Sequence, residues 1–365
     1  MNLYIEHLLY FPVINLHRNI YKESRIKLLM SKMKDPSIHL RLGHLLNENP
    51  HISVEKIYKI TRKEKIIRSI NTLWYTLQYM EDNRIIHNPR CLIKNFKNYT
   101  NMHYILKVRD WKEFIDSFAQ KYKDLIDMAH CMDAYGESLV YLKTHCELPI
   151  PDHITVIEKK EWINSVPILP HSVSTDDLEK ALKSEPETES VLSDFTVDKY
   201  LEWSNEIWDA FYWVCVNYRM RNSDLGKLLK KSPQTAYRRR RLIDESIFVH
   251  YPLFIGGSRS YHPIFLSFKT KYPLFLVDVF SKNTCTSYLI QTKDGGTTCF
   301  INTKIPFLVN DAMNRYMEMG IIQDLKSIRV NNWWYPFLDD YMKRRIPEEY
   351  FFMFKSKKEK RKRIG

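Results

Sequence analysis

Apolar and polar residues follow a helical period over residues 223–245, and the pattern predicts two short helices joined by a tight turn. Ser232 has a side chain suited to a helix N-cap, and Pro233 suits the first helical turn. We therefore expect the second helix to begin there and to run to about Glu245. Ser223 is the expected cap of the first helix. Two helices joined in this way form a helix-turn-helix.

Two strand-like runs come directly after these helices. Residues 247–255 and 263–268 are rich in apolar and aromatic side chains, and residues 256–260 between them begin with two glycines, so a hairpin is predicted. A hairpin in this position is a wing, with Arg259 near its tip. The alternative, a solvated basic helix beside an ordinary hairpin, remains open.

The same pattern is found earlier in the chain without a gap. Ser69 aligns with Ser232 and Pro89 aligns with Pro252, at an offset of 163 residues in both cases. Between these ends the segments share a threonine, an aromatic residue, an acidic pair, two apolar residues and a histidine. We interpret the match as an internal duplication.

After each helix-turn-helix the pattern predicts the order strand, helix, strand, strand, helix, strand, which is typical of a ferredoxin-like domain. In the first copy, residues 154–162 are what remains for the second helix, so truncation of that copy stays open. Its other predicted elements are strands at 102–108, 128–135 and 138–145 and a helix at 111–125.

The predicted fold class is α+β, with two winged helix-turn-helix domains each followed by a ferredoxin-like βαββαβ domain. The predicted segments are an N-terminal extension (1–34), a first winged helix (35–100), a first ferredoxin-like domain (101–170), an acidic linker (171–196) with a helix around 178–182, a second winged helix (197–262), a second ferredoxin-like domain (263–340) and a basic tail (341–365).

Charge and composition favour a folded protein with a polyanionic partner. The chain has 365 residues, of which 44% are hydrophobic, and its formal net charge is +13. Its six cysteines are scattered without close pairs, which is typical of a reducing compartment rather than a disulfide framework. Because no apolar stretch reaches spanning length, no membrane partner and a cytoplasmic location are expected.

The predicted second helix resembles the recognition helix of the Lrp/AsnC (feast/famine) family of transcription regulators. The resemblance rests on Ser232, Thr235-Ala236, Arg239 and Ile243, followed by the apolar pair Phe248-Val249. It implies double-stranded DNA as the partner, a homodimer or an internal pseudo-dimer, and an amino-acid-like small-molecule effector. Two departures are Arg240, at a position that is apolar in the family, and the lack of a glycine before the apolar pair.

The residue types of this helix suit DNA. Residues 227–241 hold seven basic side chains and no acidic one. Gln234 suits adenine and an arginine suits guanine, while the other cations would neutralise phosphates. The candidate DNA-binding residues are Ser232, Gln234, Thr235, Tyr237, Arg238, Arg239, Arg241, Lys230, Lys231 and Arg259.

The first copy differs at these positions. Opposite the four arginines 238–241 it has Tyr75, Thr76, Leu77 and Gln78, and its basic residues lie upstream, at Arg62, Lys63, Lys65 and Arg68. We expect the second copy to contact bases and the first to contact phosphates or a partner subunit. The alternative that both helices dock on DNA is open.

The sequence contains no catalytic or metal-ligand motif that we recognise, and we expect a protein that is not an enzyme and has no cofactor or metal. A sequence-specific regulator is the leading hypothesis. Two alternatives remain: a plasmid- or viral-type replication initiator with tandem winged helices, and a scaffold whose winged helices bind proteins.

Overall fold

The structure is a computed structural model that describes residues 33–134, 137–192 and 196–334. The predicted N-terminal extension up to residue 32 and the basic tail at 341–365 lie outside the described residues.

The α+β prediction is confirmed. The helices are α1 (Pro36–Glu48), α2 (Val54–Lys63), α3 (Ile70–Asp82), the single-turn α4 (Trp111–Phe114), α5 (Thr175–Ala181), α6 (Asn205–Val216), α7 (Asn222–Leu228), α8 (Pro233–Ser246), α9 (Pro273–Ser281) and α10 (Pro306–Glu318). The strands are β1 (Arg90–Ile93), β2 (Asn95–Phe96), β3 (Met102–Val108), β4 (Ile126–Ala134), β5 (Glu137–Thr144), β6 (Thr155–Ile168), β7 (Thr196–Val197), β8 (Ile247–His250), β9 (His262–Thr270), β10 (Ser287–Thr292), β11 (Gly296–Thr303) and β12 (Ile322–Trp334).

Helices α3 and α8 begin in the same way. Ser69 Oγ accepts a hydrogen bond of 3.1 Å from the backbone N–H of Thr72, and Ser232 Oγ accepts one of 3.1 Å from that of Thr235. The serine that satisfies a free N–H group therefore fixes the start of each helix. These pairs are related by the offset of 163 residues. Helix α7 begins two residues earlier than predicted, at Asn222 rather than Asp224, so Ser223 is not its cap.

Two three-helix units carry these helices. Helical unit 1 consists of α1–α3 and helical unit 2 of α6–α8, and the segments that follow them are exchanged. Tyr251, Leu253 and Ile255, which follow β8, are buried in the core of helical unit 1. Ile93, Phe96 and Tyr99, which belong to or follow β1, are buried in the core of helical unit 2. Each helical core is therefore completed by the other copy.

The predicted wing hairpin is wrong. β8 pairs antiparallel with β1, and β9 pairs with β11 and β12, so the two strands predicted as a hairpin have different partners. The exchange explains the difference. β8 obtains its hydrogen bonds from β1 of the first copy. Leu253, which follows β8 and is 1% exposed, buries its side chain in the core of helical unit 1.

Eight strands close into a barrel in the order β10–β11–β9–β12–β4–β5–β3–β6, and β6 also pairs with β10. The first half of the barrel consists of β3–β6 and the second of β9–β12. In each half the strands lie side by side in the order fourth, first, third, second. The fourth strand of each half pairs with the second strand of the other. Tyr141, Phe265 and Phe300 fill the interior, with ring centroids 4.8 to 5.5 Å apart. The barrel joins the two copies into one body.

The first half of the barrel departs from two sequence predictions. Residues 154–162, the candidate second helix, belong almost entirely to β6, because this strand must pair with both β3 and β10 to close the barrel. The predicted helix at 111–125 is α-helical in α4, continues as a π-helix from Ile115 to Ala119 and ends in a 3-10 turn at Lys123–Leu125.

The acidic segment predicted as a linker contributes to the second half. Its helix α5, capped by Ser174, confirms the helix expected around residues 178–182. Leu178 and Leu182 have 0% and 3% exposure and pack in the same core as α9 and α10. The segment is thus held by apolar burial as well as connecting the two copies.

Candidate nucleic-acid interface

Helix α8 exposes a polar and basic stripe. Gln234, Tyr237, Arg238 and Arg241 are all exposed, since their spacing of three or four residues places them on one side of the helix. The opposite side packs in the core of helical unit 2 through the buried residues Ala236, Arg240, Ile243 and Ser246. The stripe is therefore held on a rigid element and is open to a partner.

The segment before α8 adds two cations, one in the last turn of α7 and one in the turn between the helices. Lys227 and Lys230 are exposed, and Lys230 has the left-handed backbone conformation, with φ 51°, that ends α7. Gly226 makes the tight turn possible, because a Cβ atom there would lie 2.9 Å from the carbonyl oxygen of Lys231. Both lysines thus lie close in sequence to the N-terminus of α8, where the helix dipole favours anions.

Two of the candidate DNA-binding residues have a structural role in the helix cap. Ser232 Oγ lies 2.9 Å from Thr235 Oγ1, in addition to its bond from the Thr235 backbone. Ser232 remains exposed and Thr235 is half-buried. They position the first turn of α8 whether or not a partner is bound.

Two predicted contact residues are paired with helix α6. Arg239 donates to the carboxylate of Glu206, and its side chain is only 11% exposed. Lys231 Nζ lies 3.4 Å from the other carboxylate oxygen of Glu206. Glu206 therefore draws Arg239 away from the exposed stripe and also pairs with Lys231.

Arg240 belongs to the core rather than to the stripe. Its exposure is 6%, and its guanidinium donates to the carbonyl oxygens of Tyr218 and Met220, the latter at 2.6 Å. It also lies 4.9 Å from the centre of the Tyr218 ring. A buried arginine can occupy this position because two backbone carbonyl oxygens accept from its terminal N–H groups and the Asp244 carboxylate lies 3.9 Å from its Nε.

Arg259 is not brought to α8. It is exposed in a 3-10 turn at Ser258–Ser260, next to the end of α3. The backbone N–H of Ser258 donates to the carbonyl oxygen of Arg84 at 3.2 Å. Because the segment after β8 crosses to helical unit 1, Arg259 lies beside the first copy, contrary to the prediction of a wing tip.

Helical unit 1 has the same geometry with different side chains. On α3 the exposed residues nearest the N-terminus are Asn71 and Tyr75, and Thr76 is buried with 0% exposure. Lys65 has φ 59°, so a lysine ends α2 as Lys230 ends α7. The exposed cations of this unit lie at Lys56, Lys59, Arg62, Lys63, Lys65 and Arg68.

The two helical units touch through contacts that no sequence motif indicated. Asp244 of α8 accepts a 2.9 Å bond from the Tyr218 hydroxyl and lies 3.2 Å from His51 Nε2 of the first copy. Burial raises the pKa of Tyr218, and Asp244 raises it further, so the phenol remains a donor. Arg219 donates to the carbonyl oxygen of Ile52 at 2.6 Å. Recognition helix candidates α3 and α8 are thus held in one arrangement.

Other chemistry is less evident in the described part of the chain. There, no group of three or more histidine, cysteine or acidic side chains is placed to hold a metal ion. None of the helices within the described ranges is long and apolar enough to cross a membrane.

Comparisons with known proteins add little to this geometry. No family model and no curated protein matches the chain. Two solved structures match, those of the siroheme decarboxylase NirDL alone and in co-complex with an iron-uroporphyrin III analogue. Each covers 77% of this chain and 90% of the other, at 7% sequence identity and a TM-score of 0.32. Both are structures of an enzyme, and this finding contradicts the prediction of a protein that is not an enzyme. Beyond this correction, a TM-score of 0.32 carries no argument about the fold, the substrate or the reaction of this chain.

Proposed function

We propose that the chain is a sequence-specific DNA-binding transcription regulator of the Lrp/AsnC-like type, with helix α8 as its base-contacting element. The observation that carries the proposal is the exposed stripe of Gln234, Tyr237, Arg238 and Arg241 on a helix whose other side is buried. A helix is the element that fits the major groove, and the two amino-acid types that discriminate adenine and guanine best stand on this stripe.

Electrostatics support the same partner. Lys227 and Lys230 flank the start of α8 and are exposed, and the net charge of the chain is +13. Such cations attract phosphates and supply affinity that is independent of sequence. Glu206 is paired with Arg239 and Glu245 with Arg241, so these two carboxylates are largely neutralised, and Arg238 is the stripe arginine that neither of them binds.

The barrel supports the Lrp/AsnC-like part of the proposal. In each half the strand order fourth, first, third, second is that of a ferredoxin-like sheet, and the second half has both helices of the βαββαβ order. The first half lacks the second helix between β5 and β6 in the described residues. The helical units with their exchanged strands take the place of winged helices, and the whole chain corresponds to an internal pseudo-dimer. An amino-acid-like effector remains part of the proposal.

The test is selection of bound genomic DNA fragments, followed by titration of the enriched duplex and a scrambled duplex at several salt concentrations. We expect an enriched motif, with steep loss of affinity in salt. Arg238→Ala should lower the preference for the motif by roughly 10-fold or more, as expected when a bidentate bond to a base is removed. Arg109→Ala removes another exposed arginine, after β3, and is the matched control, which should bind like the wild type. Failure to enrich any duplex, or an unchanged preference in Arg238→Ala, would contradict the proposal.

A further inference from the structure

We infer that helical unit 1 binds the DNA backbone and makes no bidentate contact with guanine, so that the chain recognises an asymmetric site in which the half bound by α8 carries most of the sequence information. The inference rests on the proposed function of α8. It assigns a separate partner chemistry, the phosphates of the adjoining duplex, to a surface of the first copy.

Helical unit 1 exposes many positively charged side chains. Arg62, Lys63 and Arg68 are exposed around the turn from α2 to α3, together with Lys56, Lys59 and Lys65. Glu64 lies within this run, but both of its carboxylate oxygens bind Arg41, at 2.7 and 3.1 Å. The segment from Lys56 to Arg68 therefore carries six exposed cations, and its one carboxylate is already paired.

Helix α3 lacks the arginines that α8 exposes. At the positions that correspond to Gln234 and Arg238 of α8, helix α3 has Asn71 and Tyr75. Both are exposed; Asn71, like Gln234, suits adenine, but Tyr75 has no guanidinium group. The position that corresponds to Arg239 is Thr76, which is buried and donates to the carbonyl oxygen of Thr72 at 2.8 Å. The exposed side of α3 thus has no arginine that could form the bidentate contact with guanine.

The two units are held in a fixed arrangement. β1 and β8 pair along their length, and His87 N–H donates to the Pro252 carbonyl oxygen at 3.0 Å beyond them. His51, between α1 and α2 of helical unit 1, contacts Asp244 of α8. Because the units are joined at both of these places, the cations of helical unit 1 hold a fixed position relative to the stripe, and in the inferred complex the duplex extends past them. The cations there would then meet phosphates rather than solvent.

The experiment uses the full chain and the duplex enriched by selection, with a scrambled duplex as the second ligand. The test variant is Arg62→Gln/Lys63→Gln/Arg68→Gln. The matched control is Arg109→Gln/Lys112→Gln/Lys121→Gln, which removes three exposed cations from the first half of the barrel. For the test variant we expect affinity for both duplexes to fall roughly 10-fold or more, and the slope of log K against log salt to fall by about 1 for each phosphate that is no longer neutralised. The ratio of the two affinities should stay within about twofold of the wild type.

The possible results distinguish the inference about helical unit 1 from the proposed role of α8. Wild-type affinity and salt slope in the test variant would show that helical unit 1 does not touch DNA and would overturn the inference while leaving the role of α8 intact. A large change in the affinity ratio would show that this unit contacts bases, which also overturns it. Absence of any duplex binding by the wild type would instead remove the proposed function itself. A selected motif confined to one half of the protected DNA would support the asymmetric site.

Discussion

The four arginines 238–241 show how differently adjacent side chains can act on one helix. Arg238 and Arg241 face solvent, Arg239 is paired with Glu206, and Arg240 is buried against two backbone carbonyl oxygens. The helical rotation of about 100° per residue separates them, because adjacent residues cannot share a face. A run of like charges in the sequence therefore does not correspond to one surface of equal cations.

This difference gives a prediction at the residue scale. Arg240→Ala should lower the free energy of unfolding by about 3 kcal/mol, because the carbonyl oxygens of Tyr218 and Met220 lose buried donors. Arg238→Ala should leave it within about 0.5 kcal/mol of the wild type, since the side chain is exposed. Urea denaturation followed by tryptophan fluorescence measures both. Equal stability of the two variants would contradict the assignment of Arg240 to the core.

At the scale of elements, the caps could be predicted and the strand partners could not. Ser232 begins α8 as expected, because an N-cap acts on the next three residues and leaves a local signal. The partner of β8 lies far away in the sequence, with His250 opposite Arg90, and the alternation of apolar residues is the same for either partner. The side chains of the exposed stripe could therefore be predicted, whereas the position of Arg259 depended on a pairing that the sequence does not encode locally.

The exchange of segments makes a second prediction. Leu253→Ala should destabilise helical unit 1, by about 2–5 kcal/mol, because Leu253 is 1% exposed in that core although it follows β8 in the chain. Ile93→Ala should instead destabilise helical unit 2, because Ile93 packs there. Amide hydrogen exchange resolves the two units: protection should fall in α1–α3 for the first variant and in α6–α8 for the second. The reverse pattern would show that the segments are not exchanged.

At the scale of the whole molecule, the duplication produces one closed body instead of two domains in a row. The barrel needs strands from both halves, and each helical core needs a segment from the other copy. His87 and His250 occupy equivalent positions, at the offset of 163 residues, in the segments that cross between the copies. The environments of these two histidines therefore show whether the segments that cross between the copies remain packed.

These histidines make a prediction about acid stability. Burial, with Arg90 nearby, lowers the pKa of His87 to about 4 and that of His250 to about 3, and the pKa of buried His130 is lowered to about 3 in the same way. In the unfolded chain each titrates near its ordinary value of about 6.5. Below that pH the unfolded state binds protons that the folded state cannot, so stability is fully present above about pH 6.5 and is lost as the pH falls towards about 4.

The pH dependence of the free energy of unfolding can be assigned to individual histidines by substitution. Each histidine contributes a slope of about 1.4 kcal/mol per pH unit within that window. Replacing His87 or His250 by glutamine should remove one such contribution from the free energy of unfolding measured between about pH 6.5 and about pH 5, where most carboxylates remain ionised. The control His153→Gln changes an exposed histidine and should leave the slope as in the wild type. A slope that is unchanged in His250→Gln would mean that this side chain is not held neutral at the crossing, and that the crossing segments are open to water in solution.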